Sequence, residues 1–177
     1  MRELDHADLF KPPEGTTAVV IPVSAEFWAK PPATYYTPMK TGYAKVALAK
    51  WKRLHINIGV LHWRMGATPH PLTGSKDKRR VFFPGKHEGL PPSFHLISFP
   101  TRKYVAERMS VEYLCHQLRS LKLLCDGRIP WLKEGTIVLP QFCDGEDRPW
   151  AYWQPHVTNW LADDRFLVIS GKQGTIT

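Results

Sequence analysis

The chain has 177 residues, 24 Lys or Arg against 16 Asp or Glu, a formal net charge of +8, and 43% apolar residues. That length suits one domain with a sizeable core, and the balance is that of a globular protein rather than a disordered or fibrous one. No run of eighteen apolar residues and no leader-type apolar core near the N-terminus occur, so the expectation is a cytoplasmic protein with no membrane partner.

The charge is unevenly placed. Between Met39 and His87 there are eleven Lys or Arg and one acidic residue, Asp77, which leaves thirteen basic and fifteen acidic residues elsewhere. A surplus confined to residues 39–87 is either a solvated face or an attraction for phosphate-bearing partners, nucleotide or nucleic acid. Three cysteines without a CxxC pair argue against a disulfide scaffold and a zinc knuckle. The eight histidines form no HxxxH pair and have no Cys or carboxylate at metal-ligand spacing, so no metal and no cofactor are expected.

Residues 1–15 are polar, contain Pro12-Pro13 and follow no period, which reads as a terminal arm ahead of a single domain over 16–171 and a tail over 172–177. Thr17–Ile21 is a buried strand closed by Pro22. The loop from Val23 to Pro38 holds three prolines and the aromatics Phe27, Trp28, Tyr35 and Tyr36. Loops of that length in compact domains are usually functional, and these rings suit stacking on a base or covering the sheet edge. Thr41 offers a cap and Gly42 opens a helix with apolar positions Val46, Ala47, Trp51 and Leu54. A glycine at a helix mouth lets the unpaired amides approach an anion.

Strands are then expected over Ile58–Trp63, Arg80–Phe83 and Phe94–Phe99, with a turn-rich loop over Gly66–Lys78 and Pro100 ending the last of them. Ser110 fits the N-cap of a helix whose stripe runs Val111, Leu114, Cys115, Leu118, Leu121, Leu124 and Cys125, with Gly127 placed to stop it. Both cysteines read as packing residues. Thr136–Leu139 is a β-branched strand, Trp153, Val157, Trp160 and Leu161 mark one helix face, Asp163-Asp164-Arg165 turns the chain, and Phe166–Ile169 is the last strand.

Strand, loop, helix, strand over 136–170 is a βαβ unit, and the whole pattern predicts an α/β fold: a three-layer α/β/α sandwich on a mixed, mostly parallel central sheet. In such sheets ligands settle past the carboxyl ends of the strands, here the loop carrying Phe142, Cys143, Asp144, Gly145 and Glu146. No GxSxG elbow and no GxxxxGK[ST] loop occurs, which removes the common hydrolase and NTPase readings. Asp144, with Glu146 and Asp147 beside it, either orients a water as general base or caps the helix that follows. Thr101 and Arg102 follow a strand directly, and the guanidinium there either holds a phosphate or pins a neighbouring segment.

Ile97-Ser98-Phe99-Pro100-Thr101-Arg102, Ser110 at the head of a helix, Ile137-Val138-Leu139-Pro140 and Asp163-Asp164-Arg165-Phe166 together resemble the macro-domain family, above all its small bacterial and phage members. The resemblance spans about residues 17–170 and implies a protein that binds ADP-ribose or a related NAD-derived nucleotide. Some members hydrolyse ADP-ribosyl or phosphate linkages. By that resemblance, Val23, Ser24 and the Lys40-Thr41-Gly42 turn form one side of the ligand site. Phe142, Cys143, Asp144 and Gly145 form the other, with Thr101 and Arg102 nearby and Asp144 as the water-orienting residue.

The chain departs from the family pattern where it has Val23-Ser24 in place of a strand-end asparagine and one glycine, Gly145, where several are usual. Each lost glycine removes a place for the backbone to approach an anion. Two other functions fit the residues: a nucleic-acid-binding module using the basic segment 39–87 and the loop aromatics, and a non-catalytic interaction domain.

Overall fold

The computed structural model describes residues 1–5, 12–24, 67–71, 94–102, 108–128, 130–142 and 148–170. Among them, six strands form one sheet: β1 (Arg2–Asp5), β2 (Thr16–Ser24), β3 (His70–Pro71), β4 (His95–Arg102), β5 (Thr136–Pro140) and β6 (Phe166–Ser170), in the order β1-β6-β5-β2-β4-β3. Every neighbouring pair is parallel except β3 with β4. Three helices accompany it: α1 (Val111–Leu123), the short α2 (Pro130–Lys133) and α3 (Trp150–Trp160). The helix and strands expected over 42–54, 58–63 and 80–83, and the tail over 172–177, lie outside the described residues.

The central strands read as unbroken apolar runs because both of their faces are buried. Ala18, Val20, Ile97, Phe99, Ile137, Leu139, Phe166 and Val168 point to one face and share a core with Leu114, Leu118 and Leu121 of α1 and with Trp153 and Val157 of α3. Val19, Ile21, Val138, Leu167 and Ile169 alternate with them and are buried as well, so the sheet is covered on both sides and the expected α/β sandwich on a mixed, mostly parallel sheet is what the chain forms. Ser110 caps α1 as anticipated, accepting a hydrogen bond from the Tyr113 amide at 3.1 Å. Cys125 is fully buried, while Cys115 is only half-buried.

Several expectations are corrected. Arg2–Asp5 is a strand rather than part of an arm: it pairs with β6 from Arg2↔Leu167 to Asp5↔Ser170. Its four residues are exposed, so no alternating pattern marks it. His70–Pro71 forms a two-residue edge strand inside the predicted loop, pairing with Ile97 and Ser98. Pro22 and Pro100 do not end their strands. β2 pairs with β5 only as far as Val19, and β4 pairs with β3 only as far as Ser98. Each proline therefore sits where its strand has one remaining partner among the described residues, the position in which a missing N–H costs a sheet least. Gly127 does not stop α1 either, because after Leu123 the chain continues in a single π-helical turn, Leu124–Arg128.

Gly135 opens β5 with φ +92°, and a Cβ there would meet the Thr17 hydroxyl oxygen at 1.9 Å. That hydroxyl is itself committed, donating to the Glu134 carbonyl at 3.2 Å. Gly135→Ala is expected to cost about 1–2 kcal/mol in a denaturant titration. Gly15→Ala, at φ +81° but in open space, should cost less, since it carries the backbone strain without the collision.

Candidate functional site

Five parallel strands bring their carboxyl ends to one rim: Asp5, Ser170, Pro140, Ser24 and Arg102, taken across the sheet. The chain leaves β2 toward β4 on one side and leaves β5 toward β6 on the other. The boundary between β2 and β5 is thus the topological switch point, where open α/β sheets form their ligand crevice. The pairing of β2 with β5 stops short of the rim. The β2–β5 register ends at Val19↔Val138, yet β2 runs five residues further and β5 two. Past that point β2 keeps only β4, and β5 keeps only β6, as its described partner.

On the β2 side, Val23 stands opposite Pro100 and Ser24 opposite Arg102, so Thr101 is the extra residue of a bulge. Bulges re-aim side chains and recur beside functional sites. Thr101 is fully buried and Arg102 half-buried, which places a guanidinium at the rim beside Ser24. No β pattern marks a bulge in sequence, although the adjacency of Thr101 and Arg102 to the crevice was legible. On the β5 side, Gln141 prolongs the ladder through its amide to the Ile169 carbonyl at 3.0 Å.

Phe142 then turns inward. Its ring stacks on Phe99 at 5.3 Å with 15° between planes and meets Trp150 edge-on at 6.4 Å. At 1% exposure its ring belongs to the floor beneath the rim. Lys40, Thr41, Gly42, Cys143, Asp144 and Gly145 lie outside the described residues, as does the basic segment 39–87 apart from residues 67–71.

α3 follows β5 and so starts at this rim. Its N-cap, Pro149, offers no side-chain hydrogen bond, and its carbonyl accepts from the Tyr152 amide at 3.0 Å, so the positive end of the helix dipole lies at this rim. Two contacts fix that end. Glu3 of β1 accepts from the Trp150 indole at 3.4 Å and from the Gln154 amide at 2.6 Å. Arg148 donates to the Tyr152 hydroxyl at 3.2 Å and lies over the Tyr152 ring at 4.7 Å. Sequence reasoning missed Glu3 because β1 was unseen, and missed Arg148 because a lone arginine before a helix carries no signal.

Among the described residues, the densest charge cluster sits at the opposite end of the sheet, where β6 begins. Arg165 donates to Asp126 at 2.6 Å, to Asp163 at 2.7 Å, and to the carbonyls of Cys125 and Lys133 at 3.5 and 3.4 Å. Lys122 adds Asp126 at 2.5 Å and Asp163 at 3.2 Å. The hydrogen bonds from Arg165 hold the Asp163 carboxyl down at about 2, and those from Lys122 and then Arg165 lower Asp126. Burial pushes the Cys125 thiol up to about 12, so it is not a thiolate nucleophile at neutral pH. This cluster is a fastening of the turn after α1, not part of the rim. Among the described residues no group of His, Cys, Asp and Glu is placed to hold a metal ion, and no helix is long and apolar enough to cross a membrane.

By sequence, no family model matches the chain and no curated protein is a significant match. By structure, it is similar to the macrodomain of Thermus aquaticus DarG, with TM-score 0.59 and 17% identity over 97% of both chains. The macrodomain of Mycobacterium tuberculosis DarG aligns with TM-score 0.61 and 14% identity over 96% of this chain and 99% of that one. Thermosipho africanus DarTG, solved in complex with ADP-ribose, aligns with TM-score 0.63 and 12% identity over 96% of this chain but 41% of its own longer one. The fold is that of a macrodomain, with its strand ends gathered at one open rim. The identities are too low for the likeness to carry an activity across.

Proposed function

We propose that this protein binds ADP-ribose or a related NAD-derived nucleotide in the crevice between the ends of β2 and β5. The observation that carries the reading is the parting of those two strands past Val19 and Val138 at the switch point. It lies at the same rim as the start of α3. A diphosphate suits that rim because the N-terminal end of a helix favours an anion. The ADP-ribose complex of the Thermosipho africanus neighbour supports the choice of ligand.

In this reading Val23 and Ser24 line one side with the Lys40-Thr41-Gly42 turn, and Cys143, Asp144 and Gly145 line the other. Arg102 is the neighbouring cation that would meet a phosphate oxygen. Phe142 acts from beneath, as support. Hydrolysis of an ADP-ribosyl or phosphate linkage would add one step, with Asp144 accepting a proton from the attacking water.

Titration calorimetry of the folded protein with ADP-ribose tests binding. Saturable heat is the expected result, and none at millimolar ligand would remove the proposal.

A further inference from the structure

The rim carries one carboxylate that the nucleotide reading leaves unused. Asp5 ends β1, in register with Ser170, and accepts a hydrogen bond from the Ser170 hydroxyl at 3.0 Å on Oδ1. Among the described residues that is its one polar contact, and Asp5 is an exposed residue. Glu3, Asp126 and Asp163 are engaged by partners, which sets Asp5 apart. The Ser170 bond favours one orientation of the carboxylate. Asp5 also shares the sheet face on which α3 lies, since β1 alternates and Glu3 and Asp5 stand two residues apart.

Its distance from the crevice follows from the sheet. β6 and β5 stand between β1 and the β2–β5 boundary, which places Asp5 about 12 Å along the rim at the usual strand spacing. A nucleotide whose diphosphate occupied the crevice would extend one of its two ribose arms in that direction. A carboxylate accepts hydrogen bonds from sugar hydroxyls and repels a phosphate ester on the same sugar, the device by which acidic residues in other nucleotide folds separate a free ribose from a phosphorylated one.

We propose that Asp5, oriented by Ser170, is a specificity residue that requires the ribose at the β1 end of the rim to be unphosphorylated. This rests on the ADP-ribose reading above.

Calorimetry with three ligands, ADP-ribose, its 2′-phosphate and its 1″-phosphate, tests it on wild type and on Asp5→Asn, with thermal unfolding as the check of fold. The two phosphates mark the two sugars, so the one that is discriminated identifies which arm points to β1. Wild type should bind ADP-ribose about tenfold or more tightly than one of the two phosphates, and Asp5→Asn should erase most of that ratio. The asparagine keeps an acceptor for Ser170 and removes only the charge. If ADP-ribose binds and both ratios are the same in wild type and Asp5→Asn, this proposal falls and the binding reading stands. If wild type binds none of the three, the binding reading itself falls and takes the specificity with it.

Discussion

Phe142→Ala is expected to lower the free energy of unfolding by about 3–5 kcal/mol, the range for removing a large aromatic ring from a core that cannot close over the gap. The ring is buried against Phe99 and Trp150, and both neighbours are anchored elsewhere: Phe99 in β4, paired with Pro22, and Trp150 in α3, bonded to Glu3. Neither can move far into the space left behind. Loss of the stacked contact adds about 0.5–1.5 kcal/mol within that total. Phe142→Leu refills most of the volume and should cost much less, near 1.5 kcal/mol or below. Urea titrations of the three proteins measure this. A Phe142→Ala protein with the wild-type midpoint but weakened nucleotide binding would put the ring in the crevice instead of under it.

That residue shows where the sequence was legible and where it was not. Strands β2, β5 and β6 announced themselves because burial on both faces demands continuous apolar runs such as Ile137-Val138-Leu139 and Phe166-Leu167-Val168-Ile169. α1 was legible down to its cap, because capping and the helical period are local rules. Phe142 lies two residues past a strand, where no period exists, and its direction is set by Phe99, far back in the chain. β1 was invisible for a related reason: an exposed edge strand of four residues is made by its register with β6, not by its own composition. Pro22 and Pro100 misled because proline breaks a strand only where its N–H is needed, and that depends on how far the neighbouring strands extend.

The rim followed from the order of elements alone, since a βαβ unit has only one end at which ligands settle. Its detail did not. The bulge at Thr101, the Glu3 strut and the Asp5–Ser170 pair each join residues that are distant in sequence, and a local reading has no access to such pairs.

Arg165 is the second such case, and its replacement should be the most informative test of the opposite end of the sheet. It was legible only as a turn residue, whereas it reaches Asp126, 39 residues earlier in the chain. Arg165→Met keeps much of the stem and removes the fork. It leaves Asp126 and Asp163 facing each other with only Lys122 between them, and two carbonyls without their donor. The expected cost is about 1–2 kcal/mol, because charge-assisted hydrogen bonds are lost but Asp126 and Asp163, 42% and 35% exposed, are partly taken up by solvent.

The pH dependence carries a second signature of the same cluster. Asp163 has a folded-state pKa of about 2 against 3.8 ordinarily, so it stabilises the fold above about pH 4, and that contribution is lost as the pH falls toward 2. Unscreened, the shift corresponds to about 2.4 kcal/mol, but the side chain is 35% exposed and screening leaves about 1 kcal/mol. Asp126, also lowered, adds in the same direction. Wild type should therefore lose stability on acidification from pH 4 to pH 2 through this cluster, and Arg165→Met should show a shallower acid limb as well as a lower plateau. Equal slopes in the two proteins would mean that the guanidinium does not hold these carboxylates ionised.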